Sequence, residues 1–230
     1  LRTDLDAIEN GLTTFKGTGT GNFPGVKPDL EVITVRRNKI LSLDKRNKYF
    51  LFASSGIAFA QDREYSQPDP FKSFLETRAG LELSIAFGGQ IGPWTIGPEI
   101  SYRRLRYKSI STPAIGFNTN TETGDSTSYS FALYSGRDFA LSDQLNLNLG
   151  ASLGVSNINE SFTFTIPSLP PFPESEEGSR FQGSVRTAIE YAFSDLCSAL
   201  LGYRFSYTDD LGDFGSLLVH QAQLGMRWNL

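Results

Sequence analysis

From Lys48 onward, apolar and polar residues alternate with period two along most of the chain. Such alternation marks a β-strand with one apolar and one polar face. The clearest case is Gln144 to Asn157, where Leu145, Leu147, Leu149, Ala151, Leu153 and Val155 oppose Asn146, Asn148, Gly150, Ser152, Gly154 and Ser156. Phe74 to Phe87 sets Leu75, Ala79, Leu81, Leu83, Ile85 and Phe87 against Glu76, Arg78, Gly80, Glu82 and Ser84. The same pattern predicts strands over Lys48–Gln61, Trp94–Arg106, Ser126–Leu141, Arg180–Phe193, Leu196–Tyr207 and Leu217–Leu230. Pro98 lies inside one of them and removes a ladder bond, which counts against that strand. Arg137 falls on an otherwise apolar face, near one rim.

Eight strands follow Lys48. Before it, Gly11–Thr20 and Leu30–Leu41 read as two weaker strands, the second carrying the β-prone run EVITV. The favoured reading is one barrel domain over residues 1–230 with ten strands. The alternative is eight strands, with residues 1–47 as an arm or plug.

Alternation does not say which face is buried. Three features turn the apolar face outward. Tight turns near 43–47, 88–93, 142–143 and 194–195 alternate with long connections near 62–72, 108–125, 158–178 and 208–216, as in outer-membrane barrels. The strands run about 12 to 16 residues, longer than the typical 5 to 6 of soluble sheets. Aromatics gather toward strand ends, including Tyr49, Phe87, Trp94, Tyr102, Phe139 and Trp228, as in an interfacial girdle. The fold expected is all-β: a closed antiparallel up-and-down transmembrane barrel, since every backbone group must be paired in lipid.

Composition fits this picture. The mean hydropathy of −0.23 suits a barrel whose alternate residues face a polar interior. No apolar run is long enough for a transmembrane helix. A net charge of −4 gives no basic footprint for nucleic acid. The single cysteine, Cys197, excludes an internal disulfide and a Cys-rich metal site. No signal peptide is visible in the chain, and a start at Leu1 without Met is expected of a mature or trimmed form. The polar faces carry Glu76, Arg78, Glu82, Glu99, Arg103, Arg180, Arg186, Glu190 and Arg204. Inside a narrow barrel these must pair, because an unpaired buried charge is too costly.

The last stretch, LLVHQAQLGMRWNL, ends with Gln223, Gly225, Trp228 and Leu230 in a polar-x-Gly-x-x-apolar-x-apolar spacing. It resembles the C-terminal assembly signal of bacterial outer-membrane β-barrel proteins, with Leu230 where that superfamily usually has an aromatic residue. The resemblance to the small outer-membrane barrels covers most of the chain from Lys48. It implies integral outer-membrane residence, with outer-membrane lipid and the barrel-assembly machinery as partners.

Candidate chemistry is sparse. The only histidine, His220, follows Asp209, Asp210 and Asp213. This resembles the rim of omptin surface proteases, but the second acidic pair of that family finds no counterpart here. Surface lipid A deacylases carry His-x-Ser, whereas this chain has His220-x-Ala222. The three aspartates lack EF-hand spacing, and Cys197 reads as a small apolar residue. No cofactor, metal or catalytic site is expected. The unusual loop is ESFTFTIPSLPPFPESEEG, in which Phe162, Phe164, Ile166, Leu169 and Phe172 suggest a surface for an extracellular or envelope protein, or a cap packed on neighbouring loops. The expected function is therefore non-enzymatic, structural or surface-interacting. A narrow pore and an outer-rim hydrolase are the alternatives.

Overall fold

A computed structural model describes residues 49–66, 72–112, 117–164 and 171–230. The candidate strands Gly11–Thr20 and Leu30–Leu41, and the arm or plug over 1–47, lie outside these residues. Nine strands form one antiparallel sheet: β1 Tyr49–Ala60, β2 Arg63–Ser66, β3 Lys72–Ile91, β4 Trp94–Thr112, β5 Phe117–Ala140, β6 Leu145–Phe164, β7 Phe172–Ala192, β8 Cys197–Thr208 and β9 Leu217–Asn229. Each long strand pairs with the next, and β1 pairs with both β3 and β9. The ring therefore closes through eight strands. β2 keeps the register of β1 along β3, Arg63 facing Leu75 as Ala58 faces Gly80, and so continues β1 after a break. This corrects the favoured count of ten. Both edges of β1 are occupied, so the closed sheet offers no edge for two further strands.

Closure decides the faces. Ile57, Ile85, Ile100, Phe131, Leu133, Leu153, Leu201 and Leu224 are exposed around the outside. Glu82, Glu99, Ser152, Gln182, Arg186, Arg204 and Gln221 are buried inside. A surface so apolar, over a polar interior, is stable only against lipid. Aromatic residues frame it. Tyr49 stacks on Phe87 at the short-turn end, and Tyr102 packs on Tyr129 toward the long-loop end, with ring centroids 5.1 Å apart. Arg137 does face outward, where its guanidinium lies 5.7 Å from the Trp94 ring and 4.9 Å from that of Phe139. Such aromatic contact lets a cation rest at a membrane interface.

Three local departures follow from backbone geometry. First, the β3–β4 ladder is broken between Glu76 and Thr77 and again between Arg78 and Leu81. Such bulges shift the side-chain alternation by one residue. Below the break Glu82, Ser84 and Ala86 face in; above it Ser73 and Leu75 do. Leu75, expected to face lipid, is therefore buried, and Arg78, expected in the lumen, is exposed. Second, β4 accommodates Pro98. The ladder with β3 skips from Ala86–Glu99 to Gly89–Ile96. There Gly88 and Gly97 let the two backbones approach: a Cβ on either would lie about 2 Å from a carbonyl oxygen of the other strand. Third, segments expected as loops near 108–125 and 158–178 are largely strand. β4 runs to Thr112, β5 starts at Phe117, and β6 and β7 stay paired out to Phe164–Phe172.

Candidate functional site

Among the described residues the interior is the richest assembly of polar groups, and it is filled. Five arginines (Arg63, Arg103, Arg186, Arg204, Arg227) meet five carboxylates (Glu82, Glu99, Asp138, Glu160, Glu190) in three groups of ion pairs. Alternation along β3 to β9 aims the inward groups of those strands at the axis, and β2 contributes Arg63.

Near the short turns, Arg227 Nη1 lies 2.7 Å from Asp138 Oδ2 and 3.3 Å from Glu190 Oε2. Asn148 donates to Asp138 at 2.6 Å, and Ser198 donates to Glu190. Arg186 is held between Phe52 and Tyr134, 4.2 and 4.4 Å from their ring centres. Glycines make room for Tyr134: a Cβ on Gly136 would sit 2.0 Å from its hydroxyl. A void of about 10 Å³ beside Phe50, Phe52, Tyr134 and Arg186 has about the space of one water.

At mid-height, Arg204 Nη1 bridges Glu99 at 2.5 Å and Glu82 at 3.3 Å. Arg186 approaches Glu99 at 3.7 Å and Arg103 approaches Glu82 at 3.8 Å. Ser184 and Ser152 accept from Arg204, and Ser206 and Thr208 from Arg103. Charges this deeply buried persist because they are paired, with Arg103 and Arg204 hydrogen-bonded as well.

At the mouth, Glu160 is fully buried. It accepts from Arg63, from the Tyr107 hydroxyl and, at 3.0 Å, from Ser126. The β8–β9 connection turns back over it through the Leu211–Phe214 bridge, with Gly212 at φ 50°. Phe214 packs edge-on to Phe162 at 5.8 Å and lies under the Arg63 guanidinium at 5.2 Å. Leu75, Tyr107 and Ile110 complete this apolar stopper.

Of the expected lumen residues, Glu82, Glu99, Arg103, Arg186, Glu190 and Arg204 come together inside. Three others stand elsewhere. Arg78 is exposed above the bulge, Glu76 binds Lys108 at the outer surface at 2.7 Å, and Arg180 lies at the rim, donating to the Asp210 carbonyl. Glu76 sits on the part of β3 that rises beyond the apolar belt, outside the bilayer. There the hydrogen bonds from Lys108 and Ser109 hold its carboxyl below the usual range. Arg63, Asp138, Glu160 and Arg227 complete the network unanticipated. Extending the even-numbered inward face of β5 and β6 reaches Asp138 and Glu160, and Arg227 already lay on the polar face of β9. Arg63 carried no such signal, because it follows a break in the strand.

Among the expected partner-loop residues, Phe162 is only 2% exposed and belongs to the stopper, so of the two readings the inward-packed cap describes it and the partner surface does not. Alternation turns it inward with Ile158 and Glu160. Phe164 and Phe172 pair across β6 and β7; Ile166 and Leu169 lie outside the described residues. In the assembly segment, Gln223 is buried against Gln221, and Gly225 faces in near Ala53. Trp228 is half-buried, and exposed Leu230 exchanges backbone hydrogen bonds with Tyr49 across the closing seam. The ring nitrogens of His220 contact Gln61 and the Tyr203 hydroxyl. Asp209 accepts from Tyr207 and from the Asp210 amide.

No protein-family model and no curated protein sequence matches the chain. Solved structures do resemble it. Neisserial surface protein A superposes with a TM-score of 0.52 at 17% identity, over 79% of this chain and 97% of that one. The outer-membrane protease OmpT of Escherichia coli superposes with a TM-score of 0.51 at 8% identity, over 81% and 98%. The fold is that of an outer-membrane β-barrel. With a lipid-facing belt on that fold, the protein is an integral outer-membrane barrel. In barrels of this kind the short turns face the periplasm and the longer connections the exterior.

Proposed function

We propose that this barrel is non-enzymatic and acts as a structural and surface-interaction protein, presenting its extended hairpins to a partner outside the cell. The packed lumen carries this reading. Ion pairs fill its lower and middle levels, and the Phe162–Phe214 stopper fills its mouth. That leaves the outer surface of the hairpins as the part offered to other molecules. β6 continues nine residues past Val155, from Ser156 to Phe164. A tilted strand of that length rises roughly 20 Å above the membrane. The rim carries exposed Glu174, Glu177, Asp209, Asp210 and Asp213, a charge suited to a cationic partner surface.

The test against a pore is conductance. The purified barrel in planar bilayers is expected to give no steady single-channel opening. Stable openings in the full-length protein would replace this reading with a solute channel.

A further inference from the structure

The β3–β4 bulges do more than displace Arg78 from the lumen. They set it directly opposite Arg106 in the ladder, and both side chains are exposed on the outer surface. Like charges facing each other across two strands destabilise the pair. Neither arginine forms an ion pair with a carboxylate among the described residues. The neighbouring cations are occupied: Arg104 by Asp125 at 2.8 Å and Lys108 by Glu76 at 2.7 Å. Four cations thus share two carboxylates, and the surplus falls on Arg78 and Arg106.

Height above the membrane identifies the missing anion. On β4 the outward residues run from Trp94 at the lower girdle through Ile100 and Tyr102 to Arg104 and Arg106. Ten residues from Trp94 to Arg104, at about 3.3 Å each and tilted about 40°, span roughly 25 Å, the height of the apolar belt. The arginine pair therefore begins where acyl chains end. Leu81, 48% exposed and facing Arg104 in the ladder, marks that edge on β3.

We propose that Arg78 and Arg106, with Arg104 beside them, bind a phosphate of a phosphorylated glycolipid headgroup in the outer leaflet, whose acyl chains lie against the Leu81–Leu83 surface. Two guanidinium forks match phosphate oxygens bidentately, and the bound anion removes the repulsion between them.

The probe is diphosphoryl lipid A, presented to detergent-solubilised folded barrel and followed by native mass spectrometry. The native chain is expected to retain it about tenfold more tightly than its dephosphorylated counterpart. Arg78→Gln/Arg106→Gln should lose that preference. Arg78→Lys/Arg106→Lys should keep part of it, and Arg137→Gln, at the opposite girdle, should keep all of it. Heat-modifiable gel migration reports whether each variant is a closed barrel, and single Arg106→Gln, expected to weaken the preference, serves if the double variant fails to close. The proposal is overturned if the native chain does not distinguish the two lipids, or if a closed Gln variant binds like the native chain. Displacement of the lipid by millimolar inorganic phosphate would also overturn it, marking a free-anion site.

Discussion

Glu160→Gln offers the sharpest test of the packed mouth. Glu160 is fully buried, and Arg63, itself only 1% exposed, has its ion pair there. Gln keeps the size and shape of Glu but removes the charge, leaving the Arg63 guanidinium uncompensated in a dry site. Breaking a buried pair from one side costs about 3–5 kcal/mol. Tyr107 and Ser126 donate to different oxygens of Glu160; the amide oxygen can keep one of these bonds and the other hydroxyl can turn to accept from the amide NH2, so charge dominates the loss. The assay is urea unfolding in lipid vesicles, followed by tryptophan fluorescence. Trp94 begins β4 and Trp228 lies near the end of β9, both at the short-turn end, so the signal reports the barrel rather than local loosening at the mouth. Removing both charges with Glu160→Gln/Arg63→Met should recover most of the loss, giving a coupling energy well above the scatter of independent sites. As a control, Asp125→Asn breaks the exposed pair with Arg104 and should cost under about 1 kcal/mol. If Glu160→Gln costs no more than Asp125→Asn and shows no coupling to Arg63, the mouth is wet and open, and the stopper is wrong.

Other expectations follow from the two faces of the wall. Leu153→Arg, at an exposed position facing Leu133 near mid-membrane, should destabilise the folded barrel in vesicles by about 2–4 kcal/mol, whereas Leu141→Arg in a short turn should cost no more than about 1. Gly136→Ala would press a methyl against the Tyr134 hydroxyl and should lower the urea midpoint by an amount equivalent to about 1–3 kcal/mol. Arg186→Gln removes the cation held between Phe52 and Tyr134 and paired with Glu99. Its cost by the same assay should stay below that of Glu160→Gln, because Glu99 keeps Arg204 at 2.5 Å, whereas Glu160→Gln leaves Arg63 without its ion pair.

The strand faces were legible because the bilayer selects residue by residue. Leu149, Leu153 and Val155 had to alternate with Gly150, Ser152 and Ser156 for β6 to cross at all. Bulges leave no comparable mark. Nothing in the run Glu76 to Leu81 distinguishes an inward arginine from an outward one, so Arg78 and Leu75 were assigned to the wrong faces. Beyond the lipid the selection relaxes, and β6 was cut at Asn157 although Ile158, Glu160 and Phe162 continue its inward face. The lumen pairs show the same limit. Inward direction was readable for Glu82, Glu99 and Arg204, but which carboxylate meets which arginine depends on register across several strands, and on contacts such as Arg63–Glu160 between residues far apart in sequence.

The central claim is that alternate residues of each wall strand see lipid and packed interior. Carbene photolabelling from a lipid-embedded diazirine, mapped residue by residue by mass spectrometry, tests it without altering the chain. Label should fall on Ile85, Leu133, Leu153, Leu201 and Leu224 and spare Ala86, Tyr134, Ser152, Leu200 and Gln223. Label on the second set, with the first protected, would contradict the account.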